Sequence, residues 1–210
     1  MSPTVQTVDG YYLSLEHPNP ENLSIFAIAH ALSNICRFTG HTSEFYSVAQ
    51  HSVAVSYLVP PYLADEGLMH DAAEAVLGDV SSPLKSLLTE YREIEYRWEH
   101  ALAQYYGLLY RCDGWPQEVK SADLRMLLME KTKLMPEQSK EKWAILDGVV
   151  MPPEAIWKGV QTPRQAQMSF LLRAKELGLV AAPKSEERIR DSIGEFEQVL
   201  VGTLSGPDPI

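Results

Sequence analysis

Cysteine is scarce in this chain: Cys36 and Cys112 are the only two among 210 residues. Two are too few for a disulfide framework or a thiolate zinc cluster. Free thiols in a reducing compartment are the expectation, and with them a cytoplasmic location. No apolar run approaches the roughly 20 residues that span a bilayer, so no membrane partner is expected. Residues 1–10 lack the basic segment and apolar core of a signal peptide. Basic residues are also short, with 18 Lys and Arg against 28 Asp and Glu for a net charge of -10. Such a surface repels a phosphodiester backbone and argues against nucleic acid as a partner. A small anionic substrate remains compatible, because a few cations and a metal can reverse the field inside a pocket. Glycine-rich phosphate loops, an HExxH zinc helix and paired CxxC motifs are all missing.

What is present is an ordinary globular composition, 45% hydrophobic and 22% charged, in a chain long enough for one full core. Asp9-Gly10, followed by Tyr11, Tyr12 and Leu13, reads as a turn in an extended or hairpin-like lead-in. Beyond it the pattern is helical. Ile25, Ile28, Ala29 and Leu32 recur at helical spacing behind a capping Ser24. Glu44–Leu58 carries Val48, Val55 and Leu58 on one stripe and stops at Pro60-Pro61. Leu63–Leu77 predicts the next helix, closed by Gly78. Ser82-Pro83 opens a short segment. A long amphipathic helix bears Tyr91, Trp98 and Tyr105 and ends near Gly107. Pro116 suits a first helical position, and Val119, Ala122, Met126 and Met129 run along that helix. Residues 136–159 read as irregular. Thr162-Pro163 starts a helix through Leu177, and residues 185–200 predict a last one before a frayed tail from residue 202. The expected class is all-α: a lead-in over 1–22, a core over 23–135 and a C-terminal helical extension over 136–210.

Metal-ligand residue types fall on apolar faces. His51 lies within the stripe of its helix, His70 and Asp71 are adjacent on the next, and Asp123 sits between Val119 and Met126. A lone buried histidine usually just hydrogen-bonds a carbonyl, but burying four such groups is costly unless something satisfies them all. One shared cation would. Two imidazoles and two carboxylates suit Mn, Fe, Co, Ni or Zn. Glu74 follows His70 by four residues and Asp71 by three, so on a helix it shares their face and could handle the proton of a water activated there. Asp79, just past the Gly78 cap, can reach the same pocket.

This ordered set, His51, His70-Asp71 and Asp123, resembles the signature of the HD-domain phosphohydrolases. His70-Asp71-Ala72-Ala73-Glu74, with Gly78-Asp79 and Pro83-Leu84-Lys85, is similar to the bacterial 5′-deoxynucleotidase branch. Arg37-Phe38-Thr39-Gly40-His41 and Tyr46-Ser47-Val48-Ala49-Gln50-His51 resemble phage-encoded members of it, among them dATP triphosphohydrolases. The resemblance covers residues 23–135, and Pro163–Leu177 also resembles a helix of phage members. It implies an HD-type helical bundle and a divalent transition metal on His51, His70, Asp71 and Asp123. A second ion such as Mg would accompany the substrate phosphates. Glu74 and Asp79 would be catalytic, Arg37 and Lys85 would bind phosphate, and Phe38 would stack on the base. The expected reaction converts a deoxynucleoside triphosphate, dATP foremost, to nucleoside and triphosphate by attack at the α-phosphorus. Hydrolysis of deoxynucleoside monophosphates is the alternative, and a nucleotide-binding regulator without turnover a third reading. A homo-oligomer is expected from the aromatic helix around Tyr91–Tyr105. His30 and His41 read as structural or supporting, His17 and His100 as solvent-facing.

Overall fold

The computed structural model describes residues 3–136 and 143–179. The helix and tail expected beyond residue 185 lie outside the described residues. The fold is all-α apart from a hairpin of β1 (Thr4–Gln6) and β2 (Tyr12–Ser14), paired antiparallel with Val5 opposite Leu13. The helices are α1 (Ile25–Asn34), α2 (Val48–Leu58), α3 (Ala64–Met69), α4 (Glu74–Leu77), α5 (Ser82–Lys85), α6 (Thr89–Tyr106), α7 (Gln117–Leu134) and α8 (Pro163–Glu176). None among the described residues is long and apolar enough to cross a membrane.

Several boundaries follow from local chemistry. The Ser24 hydroxyl accepts from the Ala27 amide at 3.0 Å, which starts α1. Thr162 and Gln165 form a reciprocal capping box at the start of α8, with Pro163 in its first turn. Gly107 takes the left-handed conformation that ends α6.

Two boundaries differ from the sequence expectation. α2 begins at Val48, not Glu44. The Arg37 amide donates to the Tyr46 carbonyl at 2.9 Å and the Val48 amide to Ile35 at 3.1 Å, which holds Glu44–Ser47 extended beside the end of α1. Ser47 then caps α2 by accepting from the Gln50 amide at 3.2 Å. The helix expected over Leu63–Leu77 is divided at His70–Ala73. There the amides of Ala72, Glu74, Ala75 and Val76 each reach back three residues, a tighter winding than an α-helix.

α2 is the pivot of the core and packs against α1, α3, α7 and α8. One cluster joins Ile28, Leu32, Val48, Leu68, Trp98, Phe170 and Leu171. The other joins Val55, Leu63, Trp115, Val119, Met126 and Met129. α8 supplies Ala166, Phe170, Leu171 and Ala174 to the first cluster, so this helix is part of the core.

Candidate metal centre

The site lies where α2, the α3–α4 turn and α7 meet. Its first requirement is close approach of α3 to α2. A Cβ on Gly67 would stand 2.9 Å from the Ser56 Cα and from a Val59 methyl, so glycine is what permits this contact. It brings His70, three residues on, opposite His51.

Both imidazoles are fixed by acceptor-only partners. His51 Nδ1 lies 2.7 Å from Glu130 Oε1, and His70 Nδ1 lies 3.0 Å from the Gly67 carbonyl. Each Nδ1 therefore donates, which leaves both Nε2 atoms facing the site as the positions where a cation, a proton or a metal ion, would be held. The two Nε2 atoms are 3.3 Å apart. Asp71 Oδ2 stands 3.4 Å from His70 Nε2 and 3.7 Å from His51 Nε2. Two ring nitrogens facing each other beside a carboxylate call for a cation between them. Ligand atoms at 2.0–2.2 Å from one ion at tetrahedral or octahedral angles stand roughly 3.0–3.5 Å apart; the His51–His70 and His70–Asp71 separations fall in that range, and the His51–Asp71 separation is slightly longer. The donor atoms of His51, His70 and Asp71 all lie within 4.8 Å of one another, so this buried group could hold a metal ion. Asp123 joins through His51, its Oδ1 3.1 Å from Nε2. Its side chain is 39% exposed, against 0% for His51, so the cluster is sealed behind His51 and open beside Asp123.

The local field favours positive charge at this point. Burial and the Arg37 guanidinium oppose protonation of His51, but Glu130 and the Asp123 hydrogen bond outweigh them and raise its pKa to about 9. Burial would raise Asp123, yet its bond to His51 and the neighbouring cations hold it well below the usual carboxylate range.

Glu130 is the functional residue that sequence reasoning missed. It is fully buried, accepts from His51, and takes a second bond from Arg37 Nε at 3.1 Å. Tyr46 lies close enough that burial, with Glu130 beside it, raises its hydroxyl's pKa. One signal was available: Glu130 lies two helical turns after Asp123 and follows directly on the buried Val119, Ala122, Met126, Met129 stripe, a place where a charge requires a reason.

The other predicted residues surround this centre. Glu74 is 7% exposed, and its Oε2 is buried without a hydrogen-bond partner. Burial, reinforced by Asp71 and Asp79, pushes its pKa well above the ordinary glutamate value. Asp79 is half-buried and likewise raised, mainly by burial. The Gly78 carbonyl before it accepts from the Tyr91 hydroxyl at 3.1 Å. Arg37 is committed to carboxylates: beyond Glu130, its Nη1 reaches Asp71 at 3.5 Å, and the side chain is only 12% exposed. Lys85 on α5 pairs with Glu95 and stands over the Tyr91 ring.

A cavity of about 440 Å³ adjoins the centre, lined by Arg37, Phe38, Asp79, Pro83, Leu127 and Trp143, among others. Phe38 has a φ of +55° and Thr39 one of +54°, a left-handed pair that costs energy in non-glycine residues and is characteristic of ligand-binding turns. The Phe38 ring lies against Trp143, with centroids 6.0 Å apart. Of the remaining histidines, His30 stacks on Phe26 and the exposed His100 on Tyr96, while His17 and His41 are exposed.

Comparison with known proteins adds a family. No family model matches the chain. The uncharacterized protein YfdR of Escherichia coli (strain K12) is 41% identical over 145 residues, 69% of this chain and 79% of YfdR. The chain belongs to the YfdR family. An uncharacterized protein of Rhodobacter capsulatus is 35% identical over 111 residues, 48% of this chain and 57% of that protein.

Proposed function

We propose that this chain is a metal-dependent phosphohydrolase of the HD superfamily. Its substrate would be a deoxynucleoside triphosphate, dATP foremost, split to deoxynucleoside and triphosphate. One observation carries the reading: two imidazoles anchored at Nδ1 bring their Nε2 atoms to 3.3 Å beside Asp71, with an unpartnered carboxylate oxygen of Glu74 buried in the same region.

His51, His70, Asp71 and Asp123 would hold the ion, a divalent transition metal such as Mn, Co, Zn, Fe or Ni. When bound, such an ion lowers the pKa of water toward neutrality and polarises a phosphoryl oxygen. The chain's own residues supply the rest. Glu74, whose pKa burial raises above the ordinary glutamate value, would accept the proton of the attacking water and return it. Asp79, at the mouth of the cavity, orients that water. Arg37 holds Asp71 in place while facing the cavity, and Phe38 with Trp143 flanks a flat base.

A second reading, hydrolysis of deoxynucleoside monophosphates, is favoured by one observation. Both cations expected to grip phosphate are already paired, Arg37 with Glu130 and Asp71, Lys85 with Glu95. That leaves little uncommitted positive charge for a triphosphate. Incubation with each dNTP and dNMP plus Mn or Co, with products resolved by ion-exchange chromatography, separates the readings. Triphosphate from dATP supports the first and orthophosphate from a dNMP the second. No turnover of any nucleotide overturns both.

A further inference from the structure

A second cavity, of about 340 Å³, opens between α2, α7 and the segment before α8, lined by Tyr46, Gln50, Ala54, Met126, Trp157 and Gln161 among others. None of the proposed metal ligands or proton-handling residues lines it. Its size falls at the lower end of small-molecule sites. The walls are mainly apolar and aromatic. Trp157 stacks on Tyr46 with ring planes 16° apart and centroids 5.6 Å apart, which presents flat surfaces side by side.

Lys158, which is exposed, lies at this cavity, and the polar atoms of its two glutamine side chains are nearly all used. Gln50 Nε2 donates to the Gly159 carbonyl, and Gln50 Oε1 accepts from the Gln161 amide at 3.0 Å. Gln161 Nε2 donates to Ser169 Oγ at 3.2 Å. Gln161 Oε1 is the exception: it is buried and has no partner. Leaving an acceptor buried and unmatched is costly, and the glutamine is held in place by its other bonds, so it cannot turn to water without breaking them.

We propose that this cavity binds a flat, largely apolar heteroaromatic molecule that carries one N–H donor, the ring lying on the aromatic wall and the N–H meeting Gln161 Oε1. A donor is specified because the free group is an acceptor. A ring is specified because the walls are flat and apolar. The cavity shares Tyr46 with the network that holds Glu130, yet the proposal concerns binding alone and stands apart from the phosphohydrolase reading.

The test uses the full chain and two probes of nearly the same shape. Indole has the donor, and 1-methylindole has it blocked. Isothermal titration calorimetry on the wild-type chain should show saturable indole binding at about one per chain. It should be at least about tenfold tighter than for 1-methylindole, as one hydrogen bond to an otherwise unmatched group implies. Ala54→Phe, which fills the cavity, should abolish indole binding with its melting temperature held near wild type. Gln161→Leu should bring the two probes to equal affinity. The wild-type comparison stands even if either variant fails to fold. No saturable indole binding, equal affinity of the two probes for wild type, or indole binding that survives a folded Ala54→Phe would overturn the proposal.

Discussion

Glu130 offers a stringent perturbation, because its carboxylate is fully buried and serves Arg37 and His51 at once. Glu130→Gln keeps the shape and removes the charge. In the wild type, the bonds to Arg37 Nε at 3.1 Å and His51 Nδ1 at 2.7 Å are both charge-assisted. Hydrogen bonds to charged groups contribute about 1.5–3 kcal/mol and neutral ones about 0.5–1.5 kcal/mol. The two donors use different carboxylate oxygens, and a glutamine keeps only one acceptor, so one bond loses the difference and the other is lost, which predicts a destabilisation of about 2.5–4.5 kcal/mol. Glu130→Ala, which strands the Arg37 charge outright, approaches about 3–5 kcal/mol. In a domain of this size the Gln variant should melt about 5–18 °C lower. The second consequence is chemical. Without an obligate acceptor at Nδ1, His51 loses its fixed tautomer and ring orientation, and metal affinity should fall about 10–100-fold, as for other partners of metal-binding histidines. Urea unfolding followed by circular dichroism reads the first effect, and competitive titration with a fluorescent metal chelator reads the second. Combining Glu130→Gln with Arg37→Gln should cost less than the sum of the single changes, because the two share one interaction. A Glu130→Gln variant as stable as wild type, with unchanged metal affinity, would refute the assignment of Glu130 as the anchor of His51.

Three further outcomes are expected. Glu74→Gln should lower kcat by about 10²–10⁴-fold, the usual size of a general acid–base contribution, with metal content retained. Near wild-type turnover would remove Glu74 from the mechanism and leave Asp79. Glu99, whose carboxyl accepts from Tyr110 at 2.7 Å, is pushed up to about 7 from 4.5, chiefly by burial. A carboxyl raised in the folded state costs nothing when protonated and destabilises as pH rises through its folded pKa. Relative to wild type, Glu99→Gln should therefore be more stable at pH 8 than at pH 5 by about 1–3 kcal/mol, and a pH-independent difference would exclude this. The exposed Tyr96 and Tyr105 on α6, with Leu84, Leu87 and Leu88 just before it, support a homo-oligomer, so light scattering should report more than one chain per particle. A monomer at working concentration would contradict it.

Much of the scaffold was legible because its signals are local. Ser24 caps α1, Gly107 stops α6 and Thr162-Pro163 opens α8, each through chemistry confined to a few adjacent residues. The start of α2 was not legible, since Tyr46 is drawn into backbone pairing with Arg37 from an earlier loop. The tight winding at His70–Ala73 was hidden for a similar reason: alanine and leucine composition predicts helix without specifying its pitch. At the site, spacing named His51, His70 and Asp71, whose donor atoms the fold gathers within 4.8 Å. It could not show that Arg37 is held by Glu130, 93 residues away. A side chain's residue type tells what it can bind, but the partner it has depends on where other helices deliver their charges.

Metal stoichiometry tests the centre most directly. The chain, stripped with chelator and dialysed against Co(II), should bind one ion per chain at the His51, His70 and Asp71 cluster. Asp71→Asn should lose that ion, and Asp79→Asn should keep it. Failure of the wild-type chain to retain Co(II), Mn(II) or Zn(II), or equal retention by Asp71→Asn, would contradict the account.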